Sequence, residues 1–598
     1  MRADFPDWSA FTPAFAAAEL ARLLPLAEKD VAAVEASDPV RYEDFVWPLD
    51  AATRDLWTCW GMVSHLLGVM NSEEWRKLEE SWQPKIVAFS LRVSQSGKLY
   101  EIAKGMKETN PVRRRILDRM IQSAELAGVG LKGAAKARFN EIQTRLAKLG
   151  ADFHNAVIDA TTPEIADAAY TESMKHEPDR AKRECLYRAR VTRAPENASR
   201  IDEILKLRRE AAAILGFADY AELSLATKCA PSVGAVEKMI DDLDAATAEK
   251  AREDENSLGG NLQPWDIAFE AERLREKRYA YSEEELKRHF ELEDVIAGLF
   301  RLTKALFGVE IEEVMDGRPS VWHENVRFFA VKENGGTIAH FYFDPFVRTG
   351  LKSGGAWMNE FRNRRGDEQR PLAVIVTNFP EKDGEGRCLL PFREVETVFH
   401  EFGHALQCML TRVDEEDAAG INLVEWDAVE VASQFMENWC LDDRTGIAVP
   451  TELKTKVRAA KNFRAATACR RQLAFARLDM DLHASANPPT STPDDLKREI
   501  FSHFGLPMIP EDRFLCAFSH IFAGGYAAGY YGYKWAEVMS ADCYGAFEET
   551  PDEAERLGRR FRETVLALGG SKSALDVFRA FRGRDPEITA LLRQQDLI

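Results

Sequence analysis

The sequence predicts a mainly α-helical protein with one small β element. Most of the 598 residues form long amphipathic patterns; residues 136–158, for example, carry apolar side chains at helical spacing. A β-hairpin is predicted where two β-prone runs, 326–333 and 337–343, flank Asn334-Gly335-Gly336. A third β-prone run, 372–377, follows, so a small sheet should precede a helix that starts near Glu394.

The composition excludes several classes of protein. Apolar residues make up 45% of the chain, which is ordinary for a globular protein and excludes a disordered one. No run approaches the roughly 18 apolar residues that a membrane span requires. With 98 acidic and 79 basic residues, the formal net charge is −19, which disfavours nucleic acid and anionic membranes as partners.

The N-terminus and the cysteines predict a cytoplasmic location. The first residues lack the basic region and apolar stretch of a signal peptide. The nine cysteines are odd in number and scattered, which is typical of a reducing compartment and not of a disulfide framework. We expect a monomer.

Residues 128–133 match the dinucleotide-binding pattern GxGxxG. That pattern binds a nucleotide only between a strand and a helix, whereas a helical segment precedes it here. We therefore interpret it as a turn between two helices.

A metal-binding pattern, His400-Glu401-Phe-Gly-His404, lies in an apolar segment predicted to be helical near residues 394–410. Histidines four residues apart lie on the same face of a helix, so two imidazoles can bind one zinc ion. Glu401 would then lie beside the open coordination position. Two surface histidines are the alternative, and that interpretation predicts no third ligand nearby.

A third ligand candidate is Glu430, in a second predicted helix near residues 426–441. Asp427 and Glu437 share its face at helical spacing. Metal-bound imidazoles usually donate their other N–H to a carboxylate. This face therefore offers Glu430 as a ligand and two carboxylates to support the imidazoles.

These residues and several further segments resemble the thimet oligopeptidase family of metallopeptidases. The further segments are Phe341-Tyr-Phe-Asp344, Gly354-Gly355-Ala356-Trp357, the blocks 433–439 and 518–535, and the C-terminal stretches 569–571 and 581–584. The resemblance implies a two-lobed helical zincin with a small β element and a deep central channel, which cleaves short peptides rather than folded proteins. It divides the chain into an N-terminal helical region, 1–150, and a catalytic region, 151–598.

The resemblance also assigns roles at the matching positions. It implies one Zn²⁺ per chain held by His400, His404 and Glu430, with Glu401 as general base. Further matches are His520 and Tyr533 as catalytic groups and Tyr526 and Tyr530 as substrate-binding groups. The departures are Ala432 in place of a usual proline, Gln407 and Phe392 in place of usual histidines, and a different spacing in the basic loop 348–353.

Three functions are compatible with these residues. The first is a zinc-dependent oligopeptidase that cleaves internal bonds of short, unfolded peptides. The second is a dipeptidyl carboxypeptidase, which the family also contains and which needs a cation, such as Arg348 or Lys352, for the C-terminal carboxylate. The third is a non-catalytic peptide-binding protein with a closed zinc site, for which Cys408 is the candidate fourth ligand.

Overall fold

The computed structural model describes residues 5–165, 167–260, 262–279, 283–348, 351–484 and 491–598. Within these ranges most residues are helical, as predicted. The helices before the sheet are α1 (Pro13–Ala36), α2 (Val46–Val69), α3 (Glu73–Ser94), α4 (Gly97–Gly105), α5 (Pro111–Leu126), α6 (Gly133–Asp159), α7 (Asp167–His176), α8 (Arg180–Val191), α9 (Asn197–Leu215), α10 (Tyr220–Leu225), α11 (Val233–Leu258), α12 (Pro264–Tyr279), α13 (Glu283–Lys287) and α14 (Leu292–Phe307). The helices after it are α15 (Phe392–Met409), α16 (Val431–Glu437), α17 (Thr451–Lys461), α18 (Ala465–His483), α19 (Pro493–His503), α20 (Ser519–Phe522), α21 (Gly532–Glu549), α22 (Ala554–Phe561), α23 (Ala574–Arg582) and α24 (Thr589–Gln594).

Several helices begin where the sequence places a capping residue. Asn110 accepts hydrogen bonds from two backbone N–H groups of α5, and Pro111 occupies the first helical position, where no N–H is needed. The GxGxxG segment, 128–133, connects α5 to the first residue of α6, so the predicted helix–helix turn is confirmed. Across the described ranges, no helix combines the length and apolarity that crossing a bilayer requires.

The sheet has five strands in the order β1-β2-β3-β5-β4. They are β1 (Glu310–Glu313), β2 (Arg327–Glu333), β3 (Gly336–Phe346), β4 (Trp357–Arg362) and β5 (Leu372–Phe379). The predicted hairpin is confirmed: Asn334 and Gly335, with φ of +50° and +80°, form the turn between β2 and β3. Strands β3 and β5 are parallel and the other pairs are antiparallel. Strands β1 and β4, at the two edges of the sheet, were not predicted from the sequence.

The central strands β3 and β5 are largely buried on both faces. Alternate residues of a strand point to opposite faces, and here each face packs against a different layer. Phe341 and Phe343 pack into the same core as α15, and the ring of Phe341 lies 5.8 Å from that of Phe402 on α15. Tyr342, between them in sequence, packs instead into the core formed by the N-terminal helices. The sheet thereby fixes the position of α15.

A third core joins helices α6, α9, α11 and α18 to the C-terminal part of the chain. Helix α21 contributes to two cores: Met539 packs with α15 and α16, whereas Val538 packs with α18. Helix α21 is therefore held between the metal-ligand segment and α18.

Candidate active site

Helix α15 presents both motif histidines on one partly accessible face. Phe399 and Phe402 are completely or almost completely buried on its other side. The side chains of His400 and His404 retain 26% and 13% exposure, and their ring centroids are 5.1 Å apart. Burial of one face thus fixes both rings while leaving them reachable by a ligand.

Gly403 allows the segment that carries Glu430 to approach α15. A Cβ atom at Gly403 would lie 2.5 Å from the carbonyl oxygen of Ala432 and 2.6 Å from the Cα of Ser433. Any larger residue at position 403 would therefore push α16 away. Ala432 and Ser433 supply the contacting backbone.

His400, His404 and Glu430 converge on one point. The Nε2 atoms of both histidines lie 3.2 Å from the Oε2 atom of Glu430, and the three donor atoms lie within 4.8 Å of one another. Ser433 donates a hydrogen bond of 2.8 Å to the same oxygen. Among the described residues, this trio is the group of His, Cys, Asp and Glu side chains that could hold a metal ion.

Glu437 orients His400. The Nδ1 atom of His400 lies 2.7 Å from Oε1 of Glu437. Because an ionised carboxylate only accepts hydrogen bonds, Nδ1 carries the hydrogen and Nε2 keeps its lone pair for a metal.

The electrostatics of this cluster favour a cation. Burial would lower the pKa of His400, but hydrogen bonds to Glu430 and Glu437 outweigh it and raise the pKa to about 10. Burial would raise the pKa of Glu430, yet the two histidines hold it well below its usual range. Among protein groups alone, the site thus stabilises positive charge on the imidazole of His400. A divalent cation would supply that charge and leave this imidazole neutral.

Glu401 is a buried carboxylate with an oxygen that lacks a protein partner. Its exposure is 6%, and its Oε2 atom accepts no hydrogen bond from the described residues. Burial raises the pKa of Glu401. An unsatisfied buried carboxylate oxygen is costly, so this oxygen needs a water or substrate donor beside the histidines.

The second ligand segment differs from the continuous helix predicted near 426–441. A short 3₁₀ turn, Trp426–Ala428, precedes α16, and Glu430 lies at the N-cap of α16. Asp427 therefore does not share a helical face with Glu430. Its carboxylate instead accepts hydrogen bonds from the backbone N–H groups of Cys229 and Ala230, at 2.8 and 3.0 Å, and from the Tyr531 hydroxyl at 2.8 Å.

The four predicted aromatic site residues lie together near the cluster. The ring of Tyr533 stacks on that of Tyr526 at 5.1 Å and contacts the ring of Tyr530 at 5.3 Å. The ring of His520, on α20, lies 5.6–6.4 Å from the rings of all three tyrosines. Burial raises the pKa of Tyr533, and its hydrogen bond with Tyr526 and the charge of nearby Glu430 raise it further. The hydroxyl of Tyr533 is therefore a hydrogen-bond donor at neutral pH.

The hydroxyl of Tyr530 points away from the other three aromatic site residues, toward α18. That hydroxyl donates a hydrogen bond of 2.8 Å to Oε1 of Gln472 on α18, and the side chain is buried. Burial raises the pKa of Tyr530 to about 12. The ring, rather than the hydroxyl, contacts the other aromatic residues.

Cys408 lies outside the metal-compatible trio. It is completely buried and hydrogen-bonded to Glu360, and burial together with that carboxylate raises its pKa well above the usual value. Such a thiol packs in the core and does not serve as a fourth ligand.

Two contributors to the site escaped the sequence analysis. Ser433 lies three residues after Glu430, a spacing at which a hydroxyl can reach back to the ligand; that spacing was a usable signal. Gly403 could not be singled out, because its role depends on a backbone from a distant part of the chain.

A cavity of about 770 Å³ lies beside the sheet, between α2 and the edge strand β4, and the two motif histidines do not line it. Trp57 and His65 from α2 and Trp357 and Glu360 from β4 line it.

In this helical fold, an HExxH helix and a distant glutamate together form one trio that could hold a metal. This arrangement defines the zincin class of metallopeptidases. Comparison with known proteins gives the family. The sequence matches Peptidase family M3 over residues 173–597 and the Neurolysin/Thimet oligopeptidase N-terminal domain over residues 20–136. The chain belongs to peptidase family M3 and is a metallo-oligopeptidase, so the resemblance is confirmed.

Relatives extend along the whole chain. The chain is 40% identical to organellar oligopeptidase A of Arabidopsis thaliana, over all of this chain and 86% of that protein. It is 35% identical to oligopeptidase A of Escherichia coli strain K12, over 98% of each. A dipeptidyl carboxypeptidase of the same bacterium is 29% identical over 88% of this chain and 87% of that protein. The fold resembles that of PZ peptidase A with a TM-score of 0.59, 15% identity and 98% coverage of both chains.

Proposed function

We propose that this protein is a zinc-dependent oligopeptidase that hydrolyses internal bonds of short, unfolded peptides. The observation that carries the proposal is the convergence of His400, His404 and Glu430 beside the unsatisfied oxygen of Glu401. Three protein ligands with a carboxylate next to the remaining position are typical of catalytic rather than structural zinc sites.

The donor set fits zinc. Two imidazole nitrogens and one carboxylate oxygen are ligands that zinc binds in a tetrahedral arrangement with one open position. A bound zinc ion would supply a Lewis acid for the scissile carbonyl and for a water molecule. Glu437 supports the metal site by holding the Nδ1–H of His400.

The other residues act on protons and on negative charge. Glu401 accepts the proton of the attacking water and passes it to the leaving amine, a role that its raised pKa supports. Tyr533 donates a hydrogen bond from its hydroxyl to the developing oxyanion. The ring of His520 lies 6.4 Å from the ring of Tyr533, so His520 can help to stabilise the same oxyanion. Tyr526, stacked on Tyr533, contacts the peptide.

The test of this proposal combines metal analysis with two substitutions. The purified protein should contain about one zinc per chain, and a chelator should abolish peptidase activity until zinc is restored. Glu401→Gln should retain zinc but lose several orders of magnitude in kcat, whereas Glu430→Ala should lose zinc. Activity that survives complete removal of metal would contradict the proposal.

An internal cleavage mode is supported by the two candidate cations. Arg348 forms two hydrogen bonds with Asp344, at 2.8 and 2.6 Å, and also binds the carbonyl of Val69. Lys352 binds a carboxylate oxygen of Asp344 at 2.9 Å and three backbone carbonyls. Both side chains are buried and are held by Asp344 and backbone carbonyls, so neither cation presents its charge to a substrate carboxylate. Residues 349 and 350 of the same loop lie outside the described ranges.

Peptide products distinguish the two cleavage modes. Peptides of up to about twenty residues, with free or amidated C-termini, should be cut at internal bonds, and amidation should be tolerated. Mass spectrometry of the products provides the measurement. Release of C-terminal dipeptides alone, blocked by amidation, would favour the dipeptidyl carboxypeptidase.

The monomeric state, the cytoplasmic location and the absence of nucleic-acid binding stay predictions, as do the central channel and the division at residue 150. Sedimentation analysis at several protein concentrations would test the first of them. The net charge of −19 supports the expectation that nucleic acid is not a partner.

A further inference from the structure

A buried carboxylate on α18 binds the backbone just before the tyrosine cluster. Asp479 is completely buried. Its two oxygens accept hydrogen bonds from three consecutive backbone N–H groups, those of Ala528 at 2.8 Å, Gly529 at 2.8 Å and Tyr530 at 2.9 Å. Ala528 has a φ of +46°, which is unfavourable for a residue with a side chain. The three bonds hold this turn in a conformation that it would not adopt by itself.

The carboxylate of Asp479 lies beside a second buried pair, His483 and Arg208. The Nδ1 atom of His483 lies 2.8 Å from the backbone carbonyl oxygen of Asp479 and 3.0 Å from its carboxylate oxygen Oδ1, and the Nε2 atom lies 2.9 Å from Nη1 of Arg208. Because a guanidinium can only donate, Nε2 must be the acceptor and Nδ1 must carry the hydrogen, which is donated to the Asp479 carbonyl. The two carboxylate oxygens of Asp479 accept their hydrogen bonds from residues 528–530.

Helix α18 holds Tyr530 at two points. Asp479 binds its backbone N–H, and Gln472, two turns earlier on α18, accepts the hydrogen bond from its hydroxyl. The ring of Tyr530 then contacts the rings of Tyr533 and His520 at 5.3 and 5.6 Å. A displacement of residues 528–530 would therefore move the ring of Tyr530 and, through this contact, the ring of Tyr533.

The metal ligands are independent of this contact. His400 and His404 lie on α15 and Glu430 lies at the start of α16, which pack in a different core from α18. Asp427, on the ligand segment, accepts a hydrogen bond from the Tyr531 hydroxyl but also two from the backbone N–H groups of Cys229 and Ala230, so its position does not depend on Tyr531 alone. Loss of Asp479 should therefore disturb the tyrosines and leave metal binding intact.

We propose that Asp479 is a positioning residue, which sets the hydroxyl of Tyr533 at the oxyanion through the turn 528–530 and the ring of Tyr530. The proposal rests on the proposed function and extends it to a buried residue in a distant helix. Asp479 touches neither substrate nor metal in this scheme. Its effect on the reaction is exerted entirely through Tyr533.

The test is a double-mutant cycle on kcat. Asp479→Asn keeps the size of the side chain but removes its charge and one acceptor oxygen, and kcat should fall about 10- to 100-fold, because misplacement of a catalytic group by about 1 Å has an effect of that size. KM and zinc content should change little. The double variant Asp479→Asn/Tyr533→Phe should be no slower than Tyr533→Phe alone, since the two residues act as one unit.

Asp481→Asn is the matched control. It makes the same chemical change two residues further along α18, where Asp481 faces Arg477 at 3.9 Å, and it should leave kcat unchanged. If Asp479→Asn does not fold, Gln472→Met provides the second variant: it removes the acceptor of the Tyr530 hydroxyl at a half-buried position, and kcat should fall severalfold without an added effect in the Tyr533→Phe background.

The outcomes separate this inference from the proposed function. Additive losses of kcat in the double variant, or full activity of Asp479→Asn, would overturn the positioning role of Asp479. The proposed oligopeptidase function would still stand if the parent is zinc-dependent and Glu401→Gln is inactive. A parent without zinc-dependent activity would instead contradict the proposed function itself.

Discussion

Substitution of Gly403 by alanine is expected to separate the two halves of the metal site. The added Cβ would lie 2.5 Å from the carbonyl oxygen of Ala432 and 2.6 Å from the Cα of Ser433. Both neighbours are backbone atoms, so no side chain can rotate to make room. The backbone of α16 and that of α15 must instead move apart.

The size of that movement follows from the contact distances. An ordinary contact begins near 3.4 Å, so the two backbones must separate by roughly 0.9 Å. Metal–ligand distances tolerate only about 0.2 Å, so Glu430 would no longer reach a metal bound by both histidines. Overpacking of this kind also costs about 1–3 kcal/mol of stability. We expect zinc affinity to fall at least about tenfold.

Competition with a chelator of known zinc affinity measures the first effect, and urea unfolding of the metal-free protein measures the second. Gly61→Ala is the matched control, because Gly61 lies within α2 and an added Cβ there meets no atom within 4 Å. That variant should keep its zinc affinity and gain up to about 1 kcal/mol in stability. Gly403→Ala with the affinity and stability of the parent would refute the close-packing argument.

Further predictions concern a hydroxyl, a histidine and a serine. Tyr533→Phe should lower kcat about 10²-fold with little change in KM, and steady-state kinetics in which KM alone changes would make Tyr533 a substrate contact instead. Burial lowers the pKa of His65 to about 3, so the folded protein should lose about 2 kcal/mol of stability between pH 7.5 and 5, where only the unfolded chain protonates this residue. His65→Phe should remove that loss in urea unfolding at the two pH values; an unchanged pH dependence would exclude His65 as its source. Ser433→Ala should weaken zinc binding severalfold, because the Glu430 oxygen loses its 2.8 Å hydrogen bond, and an unchanged dissociation constant would show that the ligand needs no such support.

Local pattern accounts for the elements that the sequence predicted correctly. The hairpin at Asn334-Gly335 depends on two adjacent residues that tolerate positive φ, and α15 depends on apolar positions at helical spacing. The edge strand β4 was missed because each of its residues is only partly buried, so no apolar alternation marks it. The ligand segment was predicted as one helix because periodicity cannot show that Asp427 is bound by the backbone at residues 229 and 230.

Residue spacing within single segments was enough to predict the helical class, the HExxH helix and the residue types able to bind and activate a metal. Which of these side chains meet depends on how the chain is packed. The tertiary structure brought Glu430 to both histidines through the close approach at Gly403, paired Glu437 rather than Asp427 with His400, and turned the carboxylate of Asp479 toward the tyrosine turn. These contacts join residues far apart in the chain, and their geometry is set by how whole helices pack, which no local pattern encodes.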